Sequence, residues 1–272
     1  MKPDAPSLTA RGVAAARSLV ARPSSPTGDP AADERLTQAI VGEILDGSHP
    51  RGDDHREFLD RIAVRTDFFD DAVVQAIEAG IRQVVILGAG YDGRALRFRT
   101  PGVRFFEVDH PATQRDKQDR LAAVGAVASD VTFVAFDFTD DGLADALTAA
   151  GHDQRQPCLL TAEGLLRYLP ERSFRELLRI LAAGAAPGSV LAVSMSTRPP
   201  DAESSDAARI ERERELRLAE AGEPVLTVPD TAVGLQWLAE AGWLVETVTD
   251  MADHAPGNRR GRLLVRAVPL ER

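Results

Sequence analysis

Hydrophobic and polar positions change their rhythm near residue 81. The first eighty residues carry helix signals, predicting helices over 10–21 with Thr9 as its cap, then over 30–45, 56–67 and 70–79. The stretch Arg22-Pro-Ser-Ser-Pro-Thr-Gly-Asp-Pro30 reads as a loop. Beyond it, short apolar runs predict strands over 84–87, 103–108, 131–136, 158–161 and 189–194, with amphipathic helices over 111–123, 140–150 and 171–185. This alternation describes a mostly parallel sheet covered by helices on both faces. The tail differs: a helix over 231–241 stops at Gly242, and strands follow over 243–249 and 261–268. The loop between those strands has no room for a crossover helix, so they are expected to be antiparallel.

Residues 195–230 show little strand signal. A charged helix is expected over 204–221, with Glu211-Arg-Glu-Arg-Glu215 at its centre. It reads either as a solvated helix laced with i,i+4 pairs or as a lid, because it follows a strand whose C-terminal end should face a site. The fold expected is α/β and Rossmann-like, with seven strands and a C-terminal antiparallel strand. One domain over 1–272 is divided into a helical cap (1–80), a ligand-binding core (81–194), the helical insert (195–230) and a terminal helix and hairpin (231–272).

Composition narrows the classes. The chain's 272 residues suffice for one large α/β domain. No apolar run approaches the ~20 residues needed to span a bilayer. The polar first twenty residues lack the basic start and apolar centre of a secretion signal, so a cytoplasmic protein is expected. A net charge of −10 disfavours nucleic acid as a partner. The lone Cys158 excludes an internal disulfide and a cysteine metal cluster. His49, His55, His110, His152 and His254 show no ligand spacing, so no metal is expected, and His152 and His254 read as surface loop residues. Oligomeric state is not legible.

The candidate chemistry lies at strand ends. Gly88-Ala89-Gly90-Tyr91-Asp92-Gly93 follows a strand and opens a helix, as a turn does when a ligand must approach the backbone closely. It spells GxGxxG, which does not separate a nicotinamide dinucleotide from S-adenosylmethionine. Glu107 and Asp109 end the second strand, where an acid can accept both ribose hydroxyls. Asp137, with Phe138 beside it, can accept from an adenine amino group, though a turn-forming Asp is an equal reading. Glu163 follows the fourth strand, where a carboxylate can hold an ammonium group. Arg65 is suited to gripping a carboxylate, although on its own it reads as a surface residue.

In order, Arg65-Thr66 with Phe68-Phe69-Asp70, the run from Gln83 to Ala95, Phe106-Glu-Val-Asp-His-Pro111 with Lys117, and Ala162-Glu-Gly-Leu-Leu-Arg-Tyr-Leu-Pro170 resemble the leucine carboxyl methyltransferase family. That family includes bacterial O-methyltransferases of polyketide and other natural-product pathways. The resemblance implies a class I methyltransferase fold that binds S-adenosylmethionine. By motif it carries cofactor contacts onto Arg65, Gly88, Asp109, Asp137, Phe138 and Glu163, and prefers Asp109 over Glu107. It also implies a basic N-terminal contact, for which Arg11 is the counterpart, and a substrate-side tyrosine, Tyr168. Two departures stand out: relatives read GAGLDTR where this chain has Gly93, and the C-terminal YGRP-like motif is reduced to Asn258-Arg-Arg-Gly-Arg262.

Methyl transfer from a sulfonium needs mainly alignment of the nucleophile. A carboxylate is ionised near neutral pH, whereas a phenol profits from a base, and no convincing base is visible. This favours carboxyl over hydroxyl methylation of a small-molecule or peptide acceptor. Arg167 or Arg198 could hold the acceptor's carboxylate. An NAD(P)-dependent oxidoreductase and a non-catalytic cofactor-binding protein remain as alternatives.

Overall fold

The structure is a computed structural model that describes residues 6–44, 53–126, 128, 130–198, 206–253 and 261–270. Nine helices and seven strands are described. The strands are β1 (Gln83–Leu87), β2 (Arg104–Asp109), β3 (Val131–Ala135), β4 (Leu159–Ala162), β5 (Val190–Ser196), β6 (Trp243–Asp250) and β7 (Arg262–Pro269). They form one sheet in the order β3-β2-β1-β4-β5-β7-β6. Strands β1 to β5 pair in parallel, and β7 runs antiparallel to both β5 and β6. The antiparallel tail hairpin is therefore present, with β7 inserted between β5 and β6. Strand order reverses about β1, which puts a crevice at the C-terminal ends of β1 and β4.

Two-residue alternation decides what each strand buries. Val85, Leu87, Phe106, Val108, Leu160 and Val193 face the cluster built with α6 (Leu143–Ala149), α7 (Glu171–Ala183) and α9 (Thr231–Glu240). Their neighbours Val84, Ile86, Phe105, Leu159 and Ala192 face α3 (Asp53–Glu78) and the short α4 (Arg94–Arg97). In α7, Phe174, Leu177, Leu178 and Leu181 recur at helical spacing and are buried, while the charged residues between them face water. A third cluster joins α1 (Leu8–Arg17), α2 (Pro30–Ile44) and α5 (Pro111–Ala123) over the glycine turn through Ala14, Leu36, Ile40, Tyr91 and Leu121.

Several expectations need correction. Helices predicted over 56–67 and 70–79 are one helix, α3. No Gly or Pro lies within it, and Phe68 and Phe69 pack edge to face at 5.1 Å without breaking it. The first helix begins at Leu8 with Ser7 as its cap and ends at Arg17. His152 is buried, not a surface residue, and packs edge to face on Phe106 at 5.5 Å. The charged helix of the insert is α8 (Asp206–Glu220). Asn258 and His254 lie outside the described residues.

Candidate functional site

The glycine turn leaves β1 with its first two amides on one carbonyl: Gly88 and Ala89 both donate to the Val108 oxygen of β2. Gly88 and Gly90 have φ of 64° and 50°, a region L side chains avoid. Gly90 is also covered closely, since a Cβ there would sit 2.8 Å from the Ala10 methyl of α1. Gly93, the departure from the family's threonine, has a different cause. A Cβ at this position would fall inside the carboxylate of Asp33 from α2. That carboxylate is pinned by Arg22 at 2.9 Å and Arg97 at 2.9 Å, so it cannot yield cheaply.

Glu163 is the electrostatic centre. Its carboxylate meets Arg17 at 2.7 Å, Arg65 at 2.7 Å and Arg94 at 2.6 Å. Burial alone would raise its pKa, but the guanidinium groups of Arg17, Arg94 and Arg65 hold it well below the usual carboxylate range. Arg94, 1% exposed, ties three elements together: it binds Asp70 of α3 at 2.6 Å, Asp92 of the turn at 2.6 Å, and Glu163. Asp92 accepts from Arg94 through both side chain and backbone, so its carboxylate is committed to shaping the turn. Burial lowers the pKa of Arg65, partly offset by Glu163. Glu163 Oε1 is held by Arg17 and Arg65 as close ion pairs rather than by well-directed hydrogen bonds, and Arg17 Nε is a buried nitrogen with no hydrogen-bond partner among the described residues. A zwitterionic amino-acid group fits this donor set, its ammonium on the carboxylate and its carboxylate on the guanidiniums.

The two acids of β2 are separated by their partners. Asp109 accepts from the Gly90 amide at 2.6 Å and from the His110 amide at 2.6 Å, and so stands against the glycine turn. Burial raises its pKa against those two amide bonds. Glu107 is buried with its carboxylate on the Lys117 ammonium, which also donates to the Asp92 carbonyl at 2.6 Å. Its pKa rises to about 7 through burial, against the pull of Lys117. Glu107 thus braces the turn from behind, and Asp109 is the acid presented at its front. Beyond β3, Asp137 accepts from the Thr139 amide at 2.9 Å and lies 3.8 Å from His110 Nε2. The half-buried Phe138 ring stands 5.8 Å from that of Phe136. Asp109, His110, Asp137 and Phe138 thereby gather at the ends of β2 and β3.

On the other side, the turn Leu166–Tyr168 follows Glu163. The Arg167 guanidinium lies 5.8 Å from the centre of the half-buried Tyr168 ring and 3.5 Å from Glu215 of α8. Arg198 is not brought to the cluster by any described contact: its side chain is 59% exposed and lies 4.0 Å from Asp230. Arg11 reaches the Tyr91 hydroxyl at 3.3 Å and Asp116 at 3.2 Å, on the outer flank of the turn. Among the described residues, no His, Cys, Asp and Glu side chains gather in threes to hold a metal, and no helix is long and apolar enough to cross a membrane.

Arg17 and Arg94 are the residues the sequence reading passed over. Helical spacing held a signal for Arg17: Ala10, Ala14 and Arg17 fall on one face of α1, and Ala10 covers Gly90. Arg11 lies off that face. A cavity of about 380 Å³ between α1 and α2 shares Arg17 and Tyr91 with the site but none of Asp109, Asp137 or Glu163. In a doubly wound sheet a ligand sits outside the carboxyl ends of the strands, and none of the strand-end acids lines this cavity.

Comparison with known proteins identifies the family and the fold. The family model for leucine carboxyl methyltransferases matches residues 10–182. A Mycobacterium tuberculosis protein assigned as an S-adenosyl-L-methionine-dependent methyltransferase is 38% identical over 271 residues, covering 94% of this chain and 85% of its own. A Mycobacteroides abscessus protein with the same assignment is 35% identical over 254 residues, covering 88% and 80%. Among solved structures, one assigned as a methyltransferase from Thermobifida fusca superposes with a TM-score of 0.60 at 15% identity, covering 99% and 97% of the two chains. A DUF574 family protein from Streptomyces avermitilis gives 0.57 at 18%, covering 88% and 90%. These structures share the Rossmann-like methyltransferase fold.

Proposed function

Because the chain belongs to the leucine carboxyl methyltransferase family, we propose that it is an S-adenosylmethionine-dependent O-methyltransferase acting on a carboxylate of a natural product, peptide or small metabolite. The observation that carries this reading is the buried carboxylate of Glu163 flanked by Arg17 and Arg65, beside a glycine turn with Asp109 at its front. When bound, the cofactor supplies an electrophilic methyl group on a sulfonium. The chain's own residues bind and orient. Glu163 takes the ammonium, Arg65 and Arg17 take the carboxylate, Asp109 takes the ribose hydroxyls, and Asp137 with Phe138 takes the adenine. Tyr168 and Arg167 border the acceptor side, where a cation and a hydroxyl suit an acid. An ionised carboxylate needs no base, so placement is the protein's main contribution. Such alignment is worth roughly 7–11 kcal/mol in favourable cases.

The test is calorimetric titration with S-adenosylhomocysteine and NAD side by side, on the native chain and on Arg65→Gln. Micromolar binding of S-adenosylhomocysteine alone, weakened at least tenfold by the substitution, is expected. Binding of NAD alone, or unchanged affinity in the variant, would refute the assignment. Transfer of a labelled methyl group to a panel of carboxylic and phenolic acceptors then separates the two acceptor classes by the base lability of the ester formed.

A further inference from the structure

Glu223 follows α8, yet its buried carboxylate is spent on the start of α1, 215 residues away. It accepts from the Leu8 amide at 2.7 Å, from the Thr9 amide at 3.2 Å, and from the Thr9 hydroxyl. Those amides are among the four that a helix leaves without internal partners, and a carboxylate there also meets the positive end of the helix dipole. Immediately beyond, the same segment is bound to the acceptor side of the site. Leu226 and Thr227 donate their amides to the Arg167 carbonyl at 2.9 and 3.2 Å, and the Thr227 hydroxyl donates to the Leu169 carbonyl at 2.6 Å. One short stretch, 223–227, therefore grips α1 and the turn after Glu163 together.

Helix α1 depends on such ties because its apolar hold is slight. Its buried apolar side chains are three alanines, Ala14, Ala15 and Ala16, of which only Ala14, with Ala10 partly, joins the cluster beneath it, and the cavity lies along its second half. A methyl group adds little to burial, so polar contacts decide where the helix rests. Its other described ties include Ser7 to Thr113 at 3.2 Å, Arg11 to Tyr91 and Asp116, and Arg17 to Glu163 and, at 3.8 Å, to Asp92. Two of its side chains stand directly on the proposed cofactor site, Ala10 over Gly90 and Arg17 against Glu163.

We infer that α1 is a strap over the cofactor turn and that Glu223 is its latch, coupling cofactor release to the insert that borders the acceptor. Glu223 is a positioning residue: it acts through α1. The coupling to release rests on the methyl-donor reading above, whereas the strap itself does not. Opening α1 breaks the Glu223 contacts, so a disturbance of 223–227 from the acceptor side is felt as a looser strap.

The experiment uses the full chain carrying Glu223→Gln, which keeps the shape and removes the charge. Hydrogen exchange of amides 8–17 is measured without ligand, and S-adenosylhomocysteine release is measured by stopped-flow displacement. Hydrogen bonds to an ionised group are worth on the order of tenfold or more in such an equilibrium. Exchange in 8–17 is therefore expected to rise about tenfold, and release to quicken by a similar factor, with β1 and β4 unchanged. Thr9→Val removes one donor and leaves the carboxylate, so it gives a smaller change of the same sign and keeps the test usable where E223Q does not fold. Unchanged exchange in a folded variant overturns the strap. Raised exchange with unchanged release overturns the coupling. Raised exchange in a chain that binds no S-adenosylhomocysteine even when native upholds the strap and refutes the methyl-donor reading instead.

Discussion

Replacing Glu163 by Gln isolates the charge at the centre of the site. The side chain is 6% exposed and meets three guanidinium groups at 2.6–2.7 Å. Arg94 keeps Asp70 and Asp92, but Arg65 loses its carboxylate and Arg17 is left with Asp92 at 3.8 Å. Breaking a buried ion network by removing one partner costs about 3–5 kcal/mol. Unfolding entropy of about 2.1 cal/mol/K per residue makes that a fall of roughly 5–9 °C in melting temperature for 272 residues. The pH dependence gives the loss a signature. Because the folded pKa of Glu163 is depressed, its contribution is present above the ordinary carboxylate pKa and is lost as pH falls. The gap between native and variant should narrow by about 1 kcal/mol by pH 3.5, working from an unfolded pKa of about 4.3. Chemical denaturation from pH 7 to 3.5 without ligand measures it. A variant that melts within about 2 °C of native at pH 7 would show that Glu163 does not hold the three arginines.

Other substitutions probe the surroundings. Gly93→Ala drives a methyl group into Asp33 and should cost about 1–3 kcal/mol in denaturant titrations; Asp33→Ala should cost less in that background than alone, and strict additivity would contradict the contact. Lys117→Met strands the buried Glu107, whose carboxyl burial already raises to about 7, and should cost about 3–5 kcal/mol. The double variant Glu107→Gln/Lys117→Met should recover most of that loss, and an additive outcome would contradict a buried pair. Burial lowers the pKa of His152, with Asp153 opposing, so the folded chain favours the neutral ring. Its stability contribution is full above about pH 6.5, the ordinary value, and is progressively lost as pH falls below it. His152→Leu should remove that slope in urea titrations, and an unchanged slope would assign it to other groups.

The parts legible in the sequence are those set by local pattern. Apolar runs marked β1 to β5, and the 11-residue gap between the tail strands forced their antiparallel pairing. The glycine turn and the acids after β2, β3 and β4 followed from where a doubly wound sheet opens. What escaped depends on tertiary neighbours. The break predicted inside α3 vanished because nothing in 53–78 stops a helix. Arg17 escaped notice because a motif match, which pointed to Arg11, does not report helix face, and it is the face of Ala10 and Ala14 that rests on the turn. Gly93 looked like a defect in the turn until α2 supplied Asp33 in the space a side chain would take. His152 looked exposed because a loop position says nothing of the ring packed on Phe106.

A chain of net charge −10 sets three guanidinium groups, Arg17, Arg65 and Arg94, on one buried carboxylate at a strand end. These arginines are not equivalent as probes of binding. Arg94 joins α3, the glycine turn and Glu163, so its removal would dismantle the scaffold along with the site. Arg22 and Arg97 share Asp33 and fasten the N-terminal helices to the turn. Arg17 belongs to α1, and its loss would loosen the strap as well as remove a cation. Among the contacts described, the side chain of Arg65 meets Glu163 alone and, at 11% exposed, is the most accessible of the three guanidiniums on that carboxylate. Its position on the long α3 is fixed by Phe69 and Val73 beneath, not by its own charge. Affinity lost at Arg65 with little change in melting temperature therefore reports on the cofactor, whereas the same loss at Arg94 would report mostly on folding.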